Sequence, residues 1–457
     1  MKIAFSLALA RGSTSKNDAG IARRRARRRL GRARQPTITF IMRAAGAAGA
    51  RDGVGAVIRA PRARGRVSST TVVRAVSRRD MHAMSIVLPG LIVTSSPFVF
   101  SDDAVAAAAA VTTRCPRAEA PLRSTKTSPS RVIKGCWQLS GGHGGDRATD
   151  RTRGDAAVED FASFVDAGIS TFDTGPEACG YGDSELIIGE YLKTEHARKH
   201  RDEIQVFTKL CCVGREQSNM TKDWVMANVD RPRKRLGVDK IDMVQMYWNE
   251  YNQRGYVDAA LFLTDLKHKG VIDAVSLTNF DTQRMKEMLD AGAEISTNQI
   301  QYSLLDRRPE KVMKQFCEST GVGLLPYGVV AGGLLSDRYL DAPPDKVVMN
   351  TSSLRKYASV VGNVGGYSWY QSLLKCLRAV ADKHNTSIAN VASKWVLESP
   401  VVPAVILGAR NATHIPDHLA LFDFSLDDAD RDSIARVLAG GEQPTQDAYT
   451  WERGGKW

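Results

Sequence analysis

From Arg131 to about Leu438, short apolar runs rich in β-branched residues alternate with longer stretches in which apolar positions recur at helical spacing. The runs predict strands at Val132–Trp137, Ile169–Asp173, Ile204–Lys209, Ile241–Met246, Val271–Leu277, Ile295–Ile300, Gly323–Tyr327 and Val402–Leu407. Between them the pattern predicts helices at Asp155–Ala167, Ser184–Glu195, Thr221–Leu236, Val257–Lys269, Thr282–Ala291 and Pro309–Thr320, then a longer pair from Ser368 to Glu398. Gly168, Gly237, Gly270, Gly292 and Gly321 each follow one of these segments, as helix terminators do. The stretch from Asp337 to Tyr367 is polar and poorly periodic, which suggests a lid or a plain insertion.

Eight strands alternating with helices favour a closed (β/α)8 TIM barrel over an open doubly wound sheet. No strand-to-helix turn carries G-x-G-x-x-G, which argues against a Rossmann half. Gly141-Gly142-His143-Gly144-Gly145 lacks the spacing and the lysine of a phosphate-cradling loop and reads as a flexible connection. In such a barrel the polar residues at the carboxyl ends of strands meet the substrate. That rule selects Asp173, Lys209, Tyr247, Thr278 with Asn279, Gln299 and Tyr327. An acid and an amine on successive strands suggest a buried pair that tunes a proton donor.

Charge divides the chain. Residues 1–100 hold 20 Lys/Arg and 3 Asp/Glu, so the net +13 of the whole chain becomes about −4 over the rest, and a nucleic-acid surface on the folded part is not expected. The Arg, Ala and Ser bias of roughly the first 75 residues matches a plastid transit peptide. Arg78-Arg79, the apolar stretch Met84–Phe100 and the run Ala106–Ala110 add the layout of a twin-arginine thylakoid signal, although an overlong stromal presequence accounts for them as well. Pro89, Gly90 and Pro97 argue against a stable transmembrane segment. The division is therefore a targeting presequence over 1–125, largely disordered, and a barrel with a C-terminal tail over 126–457, in the chloroplast stroma or thylakoid lumen. The seven cysteines have no disulfide or zinc-ribbon spacing, so reduced buried thiols are expected, with Cys211-Cys212 the one pair suggestive of redox activity. The i,i+4 pairs His196/His200 and His414/His418 lack the glutamate of H-E-x-x-H, and no metal is expected.

Several segments, in order, resemble the aldo/keto reductase family, in the group similar to plant and algal plastid members and to potassium-channel β subunits. They are Gly168-Ile169-Ser170-Thr171-Phe172-Asp173-Thr174, Gly182-Asp183-Ser184-Glu185-Leu186-Ile187-Ile188-Gly189, Thr208-Lys209, Ile241–Trp248, Leu277-Thr278-Asn279-Phe280, Asn298-Gln299 with Tyr302, Gly332-Gly333-Leu334-Leu335 and Gly408-Ala409-Arg410-Asn411. The resemblance implies NADPH-dependent reduction of an aldehyde or ketone, a small-molecule carbonyl substrate, and a tyrosine acid whose pKa a lysine lowers while an aspartate holds the lysine. It implies Asp173 and Lys209 for that pair. It assigns Thr278, Asn279 and Gln299 to the nicotinamide carboxamide and Tyr327 to stacking on the ring. Gly408 and Arg410 begin the loop that grips the adenosine phosphates, and His414, Asp417 and His418 follow on one helical face; a guanidinium at Arg410 suits a 2′-phosphate, hence NADP(H).

The family's tyrosine falls at Ala178 counting from Asp173 and at Cys179 counting back from Gly182-Asp183-Ser184-Glu185. The nearest phenol is Tyr181, and the family's histidine position holds Tyr247. Either phenol is a candidate acid. The alternative is an NADPH-binding barrel with little turnover that serves as a redox-sensing or scaffolding subunit. The oligomeric state is left open.

Overall fold

The computed structural model describes residues 114–141, 153–218 and 220–457. The twin arginine, the apolar and alanine runs and most of the glycine-rich loop lie outside them.

Eight parallel strands follow in chain order: β1 Val132–Gly135, β2 Thr171–Asp173, β3 Gln205–Cys212, β4 Ile241–Trp248, β5 Ile272–Thr278, β6 Ile295–Gln301, β7 Gly323–Tyr327 and β8 Val405–Gly408. Each of β1 to β6 pairs with the next, and β8 pairs with β1. Between β7 and β8 the ring is nearly closed, where Leu324 donates its N–H to Val401 O (2.7 Å) just ahead of β8. The predicted eight-stranded barrel is thus the architecture observed. Outside the strands run α1 Gly154–Asp166, α2 Ser184–Leu192, α3 Glu195–Lys199, α4 Lys222–Leu236, α5 Tyr256–His268, α6 Thr282–Asp290 and α7 Met313–Thr320.

Strand alternation sorts the side chains. On β3, Val206, Leu210 and Cys212 join the core shared with the helices, and on β4 so do Val244, Met246 and Trp248. The alternate residues point inward and form layers. Phe207, Met243, Ala274, Leu325 and Ile133 make an apolar layer with Leu122. Leu122 belongs to residues 114–130, whose chain folds back through the pairing of Arg117 with Ser130 and caps the amino-terminal end of the barrel. The folded body therefore reaches back at least to Arg114.

The 337–367 stretch is neither a free lid nor an irregular insertion. It holds 3-10 turns at Asp337–Tyr339 and Pro344–Lys346 and then α8, Ser352–Val364. Leu354, Tyr357, Val360, Val361 and Val364 form the buried face of α8 and pack into a second core with α9 Gly366–Lys383, α10 Ile388–Leu397 and, after α11 Ile415–Leu419, α12 Asp428–Ala439. Those five positions have helical spacing, but the Arg, Lys, Ser, Gly and Asn residues between them mask the pattern in the sequence. Among the described residues no helix is long and apolar enough to cross a membrane.

Candidate active site

One layer above the apolar plug, the inward positions turn polar and converge on Asp173 at the end of β2. Lys209 lies in mid-β3, because β3 continues through Leu210 to Cys212 where Met246–Trp248 of β4 offers a ladder. Lys209 Nζ donates to Asp173 Oδ1 (2.7 Å) and to Thr174 O (2.9 Å). Gln245, opposite Lys209 in the β3–β4 register, and Gln299 on β6 donate to the same carboxylate oxygen at 2.7 and 2.6 Å. Tyr181 donates its hydroxyl proton to the other oxygen, Oδ2, at 2.9 Å. Asp173 and Lys209 are each about 4% exposed at the side chain, so an unpaired charge here would be costly; four donors on one carboxylate remove that cost.

Which phenol approaches Lys209 has a geometric answer. The ammonium of Lys209 sits 4.5 Å from the centroid of the Tyr181 ring, on its face. Tyr247 stands a rung higher, opposite Cys211 on β3 and Thr278 on β5, and donates weakly to Asn249 Oδ1 (3.4 Å) beside Tyr449. Tyr181 reaches the pair because it rides a 3-10 turn, Glu177–Cys179, that folds the loop inward, and its ring packs on Gly175, where a Cβ would lie 2.9 Å from Tyr181 Cδ2. The loop ends are tied by Thr174 Oγ1 to Ser184 Oγ (2.5 Å) and by Arg235 Nη2 to Gly182 O (2.9 Å), which accounts for the Ser184-Glu185 motif; Glu185 is buried against Thr208 and Arg235.

The electrostatics differ from expectation. Burial, then the charge and hydrogen bond of Asp173, raise the Tyr181 pKa well above the ordinary phenol value. Lysine proximity does not lower it, because the hydroxyl points at the carboxylate and only the ring faces the ammonium. Burial lowers the Lys209 pKa, and Asp173 opposes that shift. Tyr181 thus keeps its proton throughout the neutral range.

The other expected residues divide into two groups. Thr278, Asn279 and Tyr327 gather at the carboxyl ends of β5 and β7. Asn279 is in the left-handed region (φ 61°) and its Oδ1 accepts from Tyr327 (2.9 Å), while the buried Thr278 hydroxyl has no protein partner. Gln299 gives its amide protons inward, to Asp173 and to Gln245 Oε1 (2.8 Å). Around β8, Gly408 leaves room for Gln138, whose Nε2 would be 2.3 Å from a Cβ there, and Ala409 O accepts from the buried Lys134 Nζ (2.9 Å). Arg410 is half-buried and His414 and Asp417 reach solvent, but His418 turns inward. Helical spacing carries across the junction between the 3-10 segment ending at His414 and α11: the His414 and His418 rings stack at 6.3 Å, and His414 Nδ1 lies 3.9 Å from Asp417 Oδ2. Burial, with His414 and Lys134 nearby, pushes His418 down to about 3, and its Nδ1 is buried without a partner. Partnerless Thr278 Oγ1 and His418 Nδ1 are what a polar cofactor at these two loops would satisfy.

Several residues at this end of the barrel are not evident from the sequence. The C-terminal tail crosses the mouth: Glu452 pairs with Arg308 (2.7 and 2.8 Å), which also holds Asp306, and Arg453 donates to Asn279 O and Trp248 O (both 2.9 Å). Lys356 of α8 lies 5.3 Å from the Tyr327 ring centroid. Gln245 is detectable, since it precedes Tyr247 by two and so shares its inward face. The tail carries no periodic signal that would reveal it.

The cysteines also differ from expectation. Cys179 and Cys211 form a disulfide, Cα–Cα 5.9 Å, across 32 residues. Cys211-Cys212 is not a functional pair, because neighbours on a strand face opposite sides; Cys212 is buried in the outer core. Asp166, His196 and His200 bring ligand atoms within 4.8 Å of one another, but at the amino-terminal end of the barrel, where Asp166, Tyr191 and Glu203 satisfy the imidazoles.

The sequence signature of the aldo/keto reductase family matches residues 131–439. The chain belongs to the aldo/keto reductase family. It is 24% identical over 342 residues to the NADH-specific methylglyoxal reductase of Escherichia coli K12, covering 70% of this chain and 97% of that one. It is 25% identical over 285 residues to the chloroplastic pyridoxal reductase of Arabidopsis thaliana, covering 60% and 73%. Among solved structures it superposes on the glycerol dehydrogenase of Gluconobacter oxydans with a TM-score of 0.56 and 25% identity, covering 72% of this chain and 96% of that one. As an aldo/keto reductase it belongs to an oxidoreductase family that uses nicotinamide cofactors for carbonyl reduction.

Proposed function

We propose that this aldo/keto reductase reduces small reactive or lipid-derived aldehydes and ketones with NADPH, and that Tyr181 is its proton donor. The observation that carries the reading is the convergence of Tyr181 and Lys209 on Asp173 at the carboxyl end of the barrel, beside the unpartnered Thr278 hydroxyl. NADPH held along Arg410, His418, Thr278, Asn279 and Tyr327 would supply the hydride. Tyr181 then releases Asp173 Oδ2 and gives its proton to the carbonyl oxygen as negative charge develops there. Asp173 keeps three donors on Oδ1 through that turn, so the carboxylate is never left unpaired. Lys209 stabilises the phenolate that Tyr181 becomes. Tyr247, half-buried a rung above, lines the carbonyl pocket and can donate to it.

Arg410 supports NADPH over NADH, since a guanidinium can grip a 2′-phosphate with two parallel hydrogen bonds. Arg410→Ala is expected to weaken NADPH binding by about ten- to a hundredfold, the equivalent of ~1.5–3 kcal/mol for charged hydrogen bonds, and to affect NADH little. Titration of each cofactor by fluorescence measures this, and equal losses would remove the 2′-phosphate from the account.

A second reading, an NADPH-binding barrel with little turnover in a redox-sensing or scaffolding role, has one observation in its favour: the Tyr181 hydroxyl faces a carboxylate that raises its pKa. Hydride transfer to an added aldehyde separates the two readings. We also propose a removable presequence ahead of Arg114 and a chloroplast address. The arginine-rich start supports this, as does the chloroplastic pyridoxal reductase among its relatives.

A further inference from the structure

We propose that the Cys179–Cys211 disulfide is a redox-modification site of the reductase, and that exchange with a dithiol frees the Tyr181 loop and activates the enzyme. The inference rests on the reductase reading above and goes beyond it to the control of the same site.

The reason lies in position. Cys179 lies two residues before Tyr181, and Cys211 lies two residues beyond Lys209 on the inward face of β3. The bond therefore ties the element that carries the proton donor to the element that carries its ammonium. The loop from Gly175 to Asp183 is fixed at its ends by Thr174–Ser184 and Arg235–Gly182, and its middle is held by the disulfide and the Tyr181–Asp173 hydrogen bond. Gly180 (φ 80°) and Gly182 (φ 54°) flank Tyr181 in the left-handed region, where backbone can rotate with the least side-chain cost. With the disulfide closed, the hydroxyl is held on Asp173 and the ammonium lies under the ring, an arrangement that hinders the release of Asp173 that proton transfer requires. With the disulfide open, the loop can carry the hydroxyl off Asp173 toward Lys209 Nζ and the carbonyl pocket.

The pair is also reachable. Cys179 and Cys211 are half-buried, and Glu177, Ala178 and Gly180 beside Cys179 are exposed. Cys115, Cys136, Cys212 and Cys317 are buried thiols, and burial pushes Cys136 up to about 12. Cys376 is a half-buried free thiol that alkylates with or without the dithiol, whereas Cys179–Cys211 is the disulfide available for exchange among the described residues. A thiolate of the dithiol attacks Cys179 Sγ, the S–S bond breaks, and Cys211 leaves as a thiolate that takes a proton. The second thiol of the reductant then attacks the mixed disulfide, closing the reductant's own disulfide and releasing Cys179, which takes a second proton. Two electrons and two protons pass from the dithiol to the cysteine pair.

The test uses the full chain prepared without reductant and the same protein treated with dithiothreitol. Alkylation read by mass should label Cys179 and Cys211 after treatment alone. Phenolate absorption should then report a lower titration point for Tyr181, identified by its loss in Tyr181→Phe; the titratable groups facing that phenol are Asp173 on β2, Lys209 on β3 and Cys136 after β1. Turnover with NADPH and an aldehyde should rise about tenfold or more, within the range of a general acid brought into play. Cys179→Ser and Cys211→Ser should each match the treated protein and ignore the dithiol. The proposal is overturned if both cysteines are free before treatment, or if they are freed while the Tyr181 titration stays where it was, or if turnover falls. Failure of the reductase reading looks different: neither form transfers hydride, yet the thiol count and the phenol titration still answer for the switch.

Discussion

Tyr181→Phe is expected to lower kcat by about 10²–10⁴-fold, the contribution of a positioned general acid, while Tyr247→Phe lowers it by about tenfold or less. The difference follows from their surroundings. Tyr181 touches both members of the buried Asp173–Lys209 pair, so its phenolate has an ammonium beside it when the proton leaves. Tyr247 has Asn249 and Tyr449 as its polar neighbours, and neither carries a positive charge that would stabilise its ionised form. Removing the Tyr181 hydroxyl leaves Asp173 with three donors, so stability should fall by only about 1 kcal/mol, the worth of one hydrogen bond, and cofactor affinity should hold. Steady-state kinetics on the dithiol-treated proteins, with cofactor titration as the control, measures this. The reverse order of the two effects would transfer the acid role to Tyr247.

The second large effect concerns the mouth of the barrel. Arg308→Met should destabilise the fold by about 3–5 kcal/mol, the usual cost of breaking a buried ion pair from one side. Arg308 and Asp306 have side chains only 1% exposed and Glu452 only 12%, so the substitution strands two carboxylates away from water. Burial opposes the charge on Arg308, yet the two carboxylates outweigh it and raise its pKa. Denaturant unfolding should register the loss, and adding Asp306→Asn with Glu452→Gln should recover much of it, because neutral amides need no cation. A loss under about 1 kcal/mol would mean the tail is held by its packing rather than by this network.

The barrel and its central pair are legible in the sequence for a shared reason. Strand alternation is a local signal, and Asp173 and Lys209 interrupt apolar runs at positions where an inward polar side chain must have a partner. The eight strands and most helices follow from periods that no distant contact alters. What stays hidden depends on chain reversal. Gln299 reads as a cofactor ligand, but its amide turns to Asp173, a contact 126 residues away. The Cys179–Cys211 bond joins a loop to a strand with no motif at either end, whereas the adjacent Cys211-Cys212 stands out although strand geometry separates its members. That His418 lies beside His414 is readable from the helical spacing, but that His418 is buried with an unpartnered Nδ1 is not. The tail from Gln446 to Trp457 acquires its place through Arg308, Asn279, Trp248 and Thr282 and through packing on both cores, all set by other elements. The tyrosine pKa runs opposite to expectation for the same reason: proximity to a lysine is readable, but which end of the phenol faces it is not.

Whether Asp173, Lys209 and Tyr181 form a working proton-transfer site is tested most directly by a single-turnover experiment on the dithiol-treated protein, with NADPH bound and excess reactive aldehyde added, following loss of the reduced nicotinamide signal. Wild-type protein should lose the signal at least about a hundredfold faster than Lys209→Met, the lower end of general-acid contributions, with NADPH binding alike in both. Equal rates in the two proteins would contradict the account and leave a cofactor-binding barrel without the chemistry.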